Sequence, residues 1–273
     1  MLGKLIKHEF KATWKVLGLL DGALIVLGLI GFLVMGTMKG FLESNQGDQG
    51  IAGLITASYV TWFLLYFLSI FAANLGTAIF LTIRYYRSMY SAEGYLTFTL
   101  PVRTSELLHA RMITGYFWTL LSLLLTGLSV FFMCTGFVSQ LPPEDQEEIF
   151  EGVMEILDVL NGGTIALAVV AGAVSVMQGL LFLFFCISVG QLWQKHKIAG
   201  AVLCFIITNA VTRAVMSIAT IGRLFAIQSL MKFDLENYYT GTLVISLVYS
   251  LISGVLFYLV IRYINDHRVN LDG

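Results

Sequence analysis

Six long blocks of apolar residues follow one another along the chain, at 16–38, 53–83, 112–138, 164–192, 198–220 and 241–263. Each is long enough to cross a hydrocarbon core, which takes about 20 helical residues. The blocks are continuous and do not alternate between apolar and polar positions, so the pattern predicts six transmembrane helices in an all-α fold rather than a barrel. Ahead of the first block, Leu2, Leu5, Ile6, Phe10, Trp14 and Leu17 recur on one helical face, while Lys4, Lys7, Lys11 and Lys15 fall elsewhere. That spacing predicts an amphipathic helix over residues 1–15 in the headgroup region, with Trp14 at the boundary, acting as a topology anchor or as a docking element. The first block is longer than the core of a secretory signal, and no small-residue cleavage pattern follows near Thr37 to Gly40, so it reads as an uncleaved span.

Three polar intervals stand out between the blocks. In the segment 84–111, Arg84, Tyr85, Tyr86 and Arg87 carry span 2 outward, and Met89, Tyr90, Tyr95, Leu96, Phe98 and Leu100 supply apolar points. Pro101 stops that stretch, and Thr104 with Leu107 and Leu108 opens the next helix. So many large apolar side chains favour burial by a partner. Glu93 and Glu106 fit poorly against an anionic leaflet, which argues against a helix lying on the bilayer. In the interval 139–163, Pro142 and Pro143 open a predicted helix that Gly162 and Gly163 would end. Ile149, Phe150, Val153, Met154, Ile156, Leu157 and Leu160 form its apolar stripe, opposite a row of acids. The third interval, Arg223 to Tyr239, is too apolar for a free loop and too short for a span.

Composition agrees with lipid as the solvent: 58% of residues are hydrophobic, 12% are charged, and the mean hydropathy is +0.83. Soluble domains carry about 25% charged residues. The formal net charge of -1 hides an asymmetry. Lys4, Lys7, Lys11, Lys15, Arg84, Arg87, Arg103, Arg111, Lys195, Lys197, Arg262 and Arg268 gather on one side, against Lys39, Arg223 and Lys232 on the other. The positive-inside rule therefore predicts cytoplasmic termini, a cytoplasmic 84–111 segment and an extracellular acidic helix. Glu144, Asp145, Glu147, Glu148, Glu151, Glu155 and Asp158 of that helix would attract a cationic peptide or simply form a solvated face.

Candidate chemistry is sparse. Cys134, Cys186 and Cys204 lie in separate spans without Cys-x-x-Cys spacing, and His8, His109, His196 and His267 sit singly at span ends, so no metal site is expected. No nucleophile and base, nor a pair of carboxylates, fall together in the spans, so no catalytic residue is assigned. There is no phosphate-binding glycine loop, so no nucleotide cofactor is expected in this chain. Inside the spans the ionisable residues are Asp21 and Arg213. Polar side chains within a membrane mark pathways by default, which nominates Asn74, Gln178, Asn209 and Arg213, although Arg213 is also placed to snorkel outward. Gly18 and Gly22, spaced Gly-x-x-x-Gly, suggest a close helix contact.

The opening GKLIKHEFKATWK, the six spans and SMYSAEGYLTFTLPVRTSELLHAR between spans 2 and 3 resemble permease subunits of type-2 ABC exporters, in the form common among Gram-positive bacteria. The resemblance covers the whole chain in layout and these two segments in motif. It implies an amphipathic helix before span 1 and short re-entrant helices between spans 5 and 6, forming an external lid. It also implies a cytoplasmic coupling helix whose contact with an ATPase falls on Ser88, Met89, Tyr90, Glu93, Gly94, Tyr95, Leu96 and Phe98. ATP and Mg would be bound by two separate ATP-binding subunits, and a second permease, identical or paired, would complete the assembly in the plasma membrane. No nucleic-acid partner is expected.

The cargo implied is an amphipathic substrate, such as a peptide toxin or antimicrobial peptide. Exporters of peptides of the phenol-soluble modulin kind are the nearest functional analogue, while lipids and drugs stay open. Two other classes compete. An ion-coupled secondary transporter should show more buried acids, broken spans or an internal repeat. A non-transporting membrane sensor or scaffold has no need of a long aromatic cytoplasmic helix.

Overall fold

The computed structural model describes residues 2–37, 40–41, 44, 49–91, 94, 104–159, 161–193, 196–229 and 235–267. Among these residues the chain forms seven helices: α1 (Leu2–Gly36), α2 (Gln49–Tyr90), α3 (Thr104–Val138), α4 (Pro143–Val159), α5 (Gly162–Gly190), α6 (Lys197–Ser229) and α7 (Leu235–His267). All except α4 are long and apolar enough to cross a membrane. Each contains one of the six predicted spans to within about two residues, and most overrun it. At about 1.5 Å per residue, the 42 residues of α2 exceed a hydrocarbon core of about 30 Å, so its ends project past the lipid. Large apolar side chains such as Leu19, Leu54, Leu124 and Ile198 are exposed, a surface suited to acyl chains rather than water.

Several boundaries differ from the sequence pattern. Residues 2–15 are continuous with the first span, because no proline interrupts the hydrogen-bond ladder of α1. Within this segment Thr13 is buried and Trp14 is exposed. Gly162 and Gly163 do not end α4; they open α5. The Asn161 side chain accepts a hydrogen bond from the Thr164 amide at 2.8 Å, which satisfies one of the donors left free at a helix start. The α6 helix runs on through Arg223 to Ser229, and the centre of the expected re-entrant lid, 230–234, lies outside the described residues. Along α4, the acids Glu144 and Asp145 occupy the first turn, where the helix dipole favours negative charge. Its apolar side chains Ile149, Phe150, Val153 and Met154 are all exposed.

The helices group into two compact units. One comprises Met1–Glu9, Phe80–Tyr116 and Ile156–Gly273, and the other Phe10–Ile79 and Phe117–Glu155. In the second unit, Leu24, Met35, Tyr66, Ile70, Ala73 and Met133 form the core. The Tyr66 hydroxyl meets Ser129 at 2.7 Å, and the Trp118 indole donates to Thr13 at 3.0 Å.

Close helix approach occurs at Gly28 and Gly136 rather than at Gly18 and Gly22. A Cβ on Gly28 would lie 2.9 Å from the Ser129 Cα, and one on Gly136 would lie 2.8 Å from the Phe32 carbonyl oxygen. A Cβ on Gly22 meets nothing within 4 Å. Gly28→Ala and Gly136→Ala are therefore expected to destabilise the chain by about 1–3 kcal/mol through overpacking. Gly22→Ala should be neutral or slightly stabilising, since alanine is the better helix former. Unfolding titrations of the three variants in detergent test that ranking.

Candidate functional site

The last two turns of α2 build a polar centre in the first unit. Tyr85, Met89 and Tyr90 face inward and are fully buried. The Tyr85 ring stacks on Phe184 of α5, with centroids 4.0 Å apart and planes 10° from parallel. The Tyr90 hydroxyl lies 2.8 Å from Ser188 Oγ and 2.5 Å from Asn265 Oδ1, and shares its one hydrogen between them. Ser188 gives its own hydrogen to the Phe184 carbonyl, so it can accept from Tyr85 at 3.0 Å. Asn265 Nδ2 donates to the Tyr85 hydroxyl at 3.5 Å. The end of α2 is thus fixed to α5 and α7 by a network with few spare donors or acceptors. Such a fully satisfied buried network holds one geometry.

A charged triad adjoins it in sequence. The Glu9 carboxylate lies 2.8 Å from Arg84 and 3.9 Å from Arg111. Arg111 is nearly buried and donates to the Met89 sulfur and, at 3.2 Å, to the Ser88 carbonyl. These bonds join the beginning of α1, the end of α2 and the second turn of α3.

The sequence-predicted contact residues divide accordingly. Met89 and Tyr90 each have 0% of their surface exposed and pack in the core of this unit. Ser88 is half-buried and bonds to the Tyr85 carbonyl. The Gly94 amide donates to the Ser91 carbonyl at 2.7 Å, and Gly94 is buried. Glu93, Tyr95, Leu96 and Phe98 lie outside the described residues.

A cavity of about 540 Å³ occupies the same unit, between the start of α3, α5 and α7. Its lining is apolar apart from Tyr116, Gln178, Ser250 and Tyr258. Three of those groups are engaged: Tyr116 donates to the Ala173 carbonyl at 3.2 Å, Ser250 pairs with Ser175 at 3.1 Å, and Tyr258 with His109 at 3.2 Å. An apolar hollow of this volume with a few fixed polar groups has the form of a small-ligand site.

Gln178 lines the cavity. Asn74, in the second unit, donates to Thr126 at 2.9 Å and to the Ile70 carbonyl. Arg213 is exposed and donates through Nε to Asn209, one turn away on α6, at 2.7 Å. That pair is bonded along the helix surface.

Glu9, Ser188 and Asn265 were not singled out by sequence reasoning. Glu9 left a faint signal, an acid on the same helical face as Leu5 and Ile6. Ser188 and Asn265 left none, because their partner Tyr90 is 98 and 175 residues away. Among the described residues no group of three histidine, cysteine or acidic side chains could hold a metal ion. Compared with known proteins, the chain matches no family model, no curated protein and no solved structure.

Proposed function

We propose that this chain is the membrane-spanning permease subunit of an ATP-driven ABC exporter that moves an amphipathic substrate, a peptide in our reading, out of the cell. Two separate ATPase subunits bind ATP and Mg and act on the cytoplasmic 84–111 segment. A second permease, identical or paired, completes the pathway. The observation that carries this reading is the buried network at the end of α2. A force applied to 92–103 passes into Tyr85 and Tyr90 and from them into α5 and α7, two of the helices that line the cavity holding Gln178. The surface for the ATPase is then Glu93, Tyr95, Leu96 and Phe98, while Met89 and Tyr90 transmit the movement. Residues 223–239 act as an external lid, and the exposed apolar stripe of α4 rests on the outer membrane face.

Co-expression with an ATP-binding subunit encoded beside this chain tests the reading. The two are expected to co-purify, and the reconstituted complex should show ATPase activity stimulated by amphipathic peptides. Glu93→Ala and Tyr95→Ala should reduce that stimulation, while Gln178→Ala should alter its peptide dependence with assembly unchanged. Absence of any co-purifying ATPase, together with no effect of the Glu93 and Tyr95 substitutions, would overturn it.

A further inference from the structure

The second unit contains an acid that the transport reading does not use. Asp21, on α1 within the first span, is 4% exposed. Neither carboxyl oxygen has a hydrogen-bond partner among the described residues. The Ser122 hydroxyl on α3 is also buried without a hydrogen-bond partner, and it is the side chain placed to interact with Asp21. Two oxygens of a carboxyl and one of a hydroxyl are therefore buried without a hydrogen-bond partner among the described residues.

The surroundings limit what satisfies them. On α1 the nearest charged residue in sequence within the unit is Lys15, which is exposed. On α2 the titratable Tyr66 bonds to Ser129, and Tyr59 lies near Thr37, at 3.3 Å. On α3 the titratable side chain of this unit is Cys134, which is exposed. Among the described residues no cationic side chain interacts with the Asp21 carboxyl. An ionised carboxylate left without a partner in such a place is strongly disfavoured. A metal cation is a poor fit, because hard cations take about six or more oxygen ligands, and among the described residues the unpartnered oxygens of Asp21 and Ser122 are three.

We propose that Asp21 is a proton-binding site within the membrane, in which the carboxyl carries its proton and donates it to Ser122. The ligand is the hydrogen ion itself, and one O–H···O bond satisfies both orphaned groups. Asp21 is then a neutral donor in the packed bundle, and loss of its proton would place a bare charge between α1 and α3. The inference concerns the chain alone and does not depend on what drives transport.

Infrared spectroscopy of the full chain in lipid nanodiscs tests it. At neutral pH a protonated carboxyl band from Asp21 should be present. That band is expected to vanish in Asp21→Asn, which keeps the size and a donor. It should persist in Ser122→Ala but move to the frequency of a more weakly hydrogen-bonded acid. A neutral-pH spectrum without a protonated carboxyl band would overturn the proposal, as would a band unchanged in Asp21→Asn. A band that disappears on adding sodium or potassium at constant pH would replace the proton with a metal cation. Should Asp21→Asn fail to fold, the shift in Ser122→Ala and the unsubstituted chain's spectrum still decide between these outcomes.

Discussion

Tyr90→Ala is expected to destabilise the chain by about 3–5 kcal/mol, the range for removing a large buried aromatic side chain. Two losses combine. The ring is fully buried and meets Tyr85 edge-on at 5.9 Å, so truncation leaves a cavity. Loss of the hydroxyl also removes the donor to Asn265 Oδ1 and one of the partners of Ser188 Oγ. Tyr90→Phe separates the two, because it keeps most of the packing and removes only the hydroxyl. It should cost about 1–3 kcal/mol, the penalty for a buried acceptor left unsatisfied. A double-mutant cycle with Asn265→Ala should show coupling of about 0.5–3 kcal/mol, as expected for residues in one network. Unfolding titrations in detergent measure all of these. If Tyr90→Ala costs no more than the same truncation at exposed Leu19, Tyr90 is not a core residue and the transmission route through α2 fails with it.

Six spans were legible because a hydrocarbon core imposes a length and an unbroken apolar run, which are local properties. Thr104 as the start of α3 was legible for a similar reason, since it follows Pro101 and precedes an apolar run. Met89 and Tyr90 read as partner-facing because aromatic residues beside arginines resemble an exposed patch. Their burial depends on Ser188, Arg111 and Asn265, and nothing local signals those partners. Gly18 and Gly22 fit the spacing of a packing motif, yet on α1 the close approach to another helix backbone is at Gly28. Which face of α1 meets α3 is set by the whole second unit, not by two glycines. Asp21 was visible as an acid in a span. Its pairing with Ser122, 101 residues on, was not.

Glu9→Gln is expected to destabilise the chain by about 3–5 kcal/mol, because it removes one partner of a largely buried ion pair and leaves the other charge uncompensated. Arg111 bears most of this effect. Its side chain is 6% exposed, against 27% for Arg84, so Arg84 can turn to water while Arg111 cannot. The remaining partners of Arg111, the Met89 sulfur and the Ser88 carbonyl, are neutral. Arg111→Met alone should cost less, since Glu9 keeps its 2.8 Å contact with Arg84. The decisive variant combines Glu9→Gln with Arg111→Met. Removing both buried charges is often neutral where breaking the pair is not, so the double variant should be more stable than Glu9→Gln by itself. A double variant as unstable as the sum of the two singles would mean that Glu9 stabilises α1 through Arg84 and packing alone. Recovery in the double variant would identify Arg111 as the residue whose charge makes the first turns of α1 necessary to the end of α2.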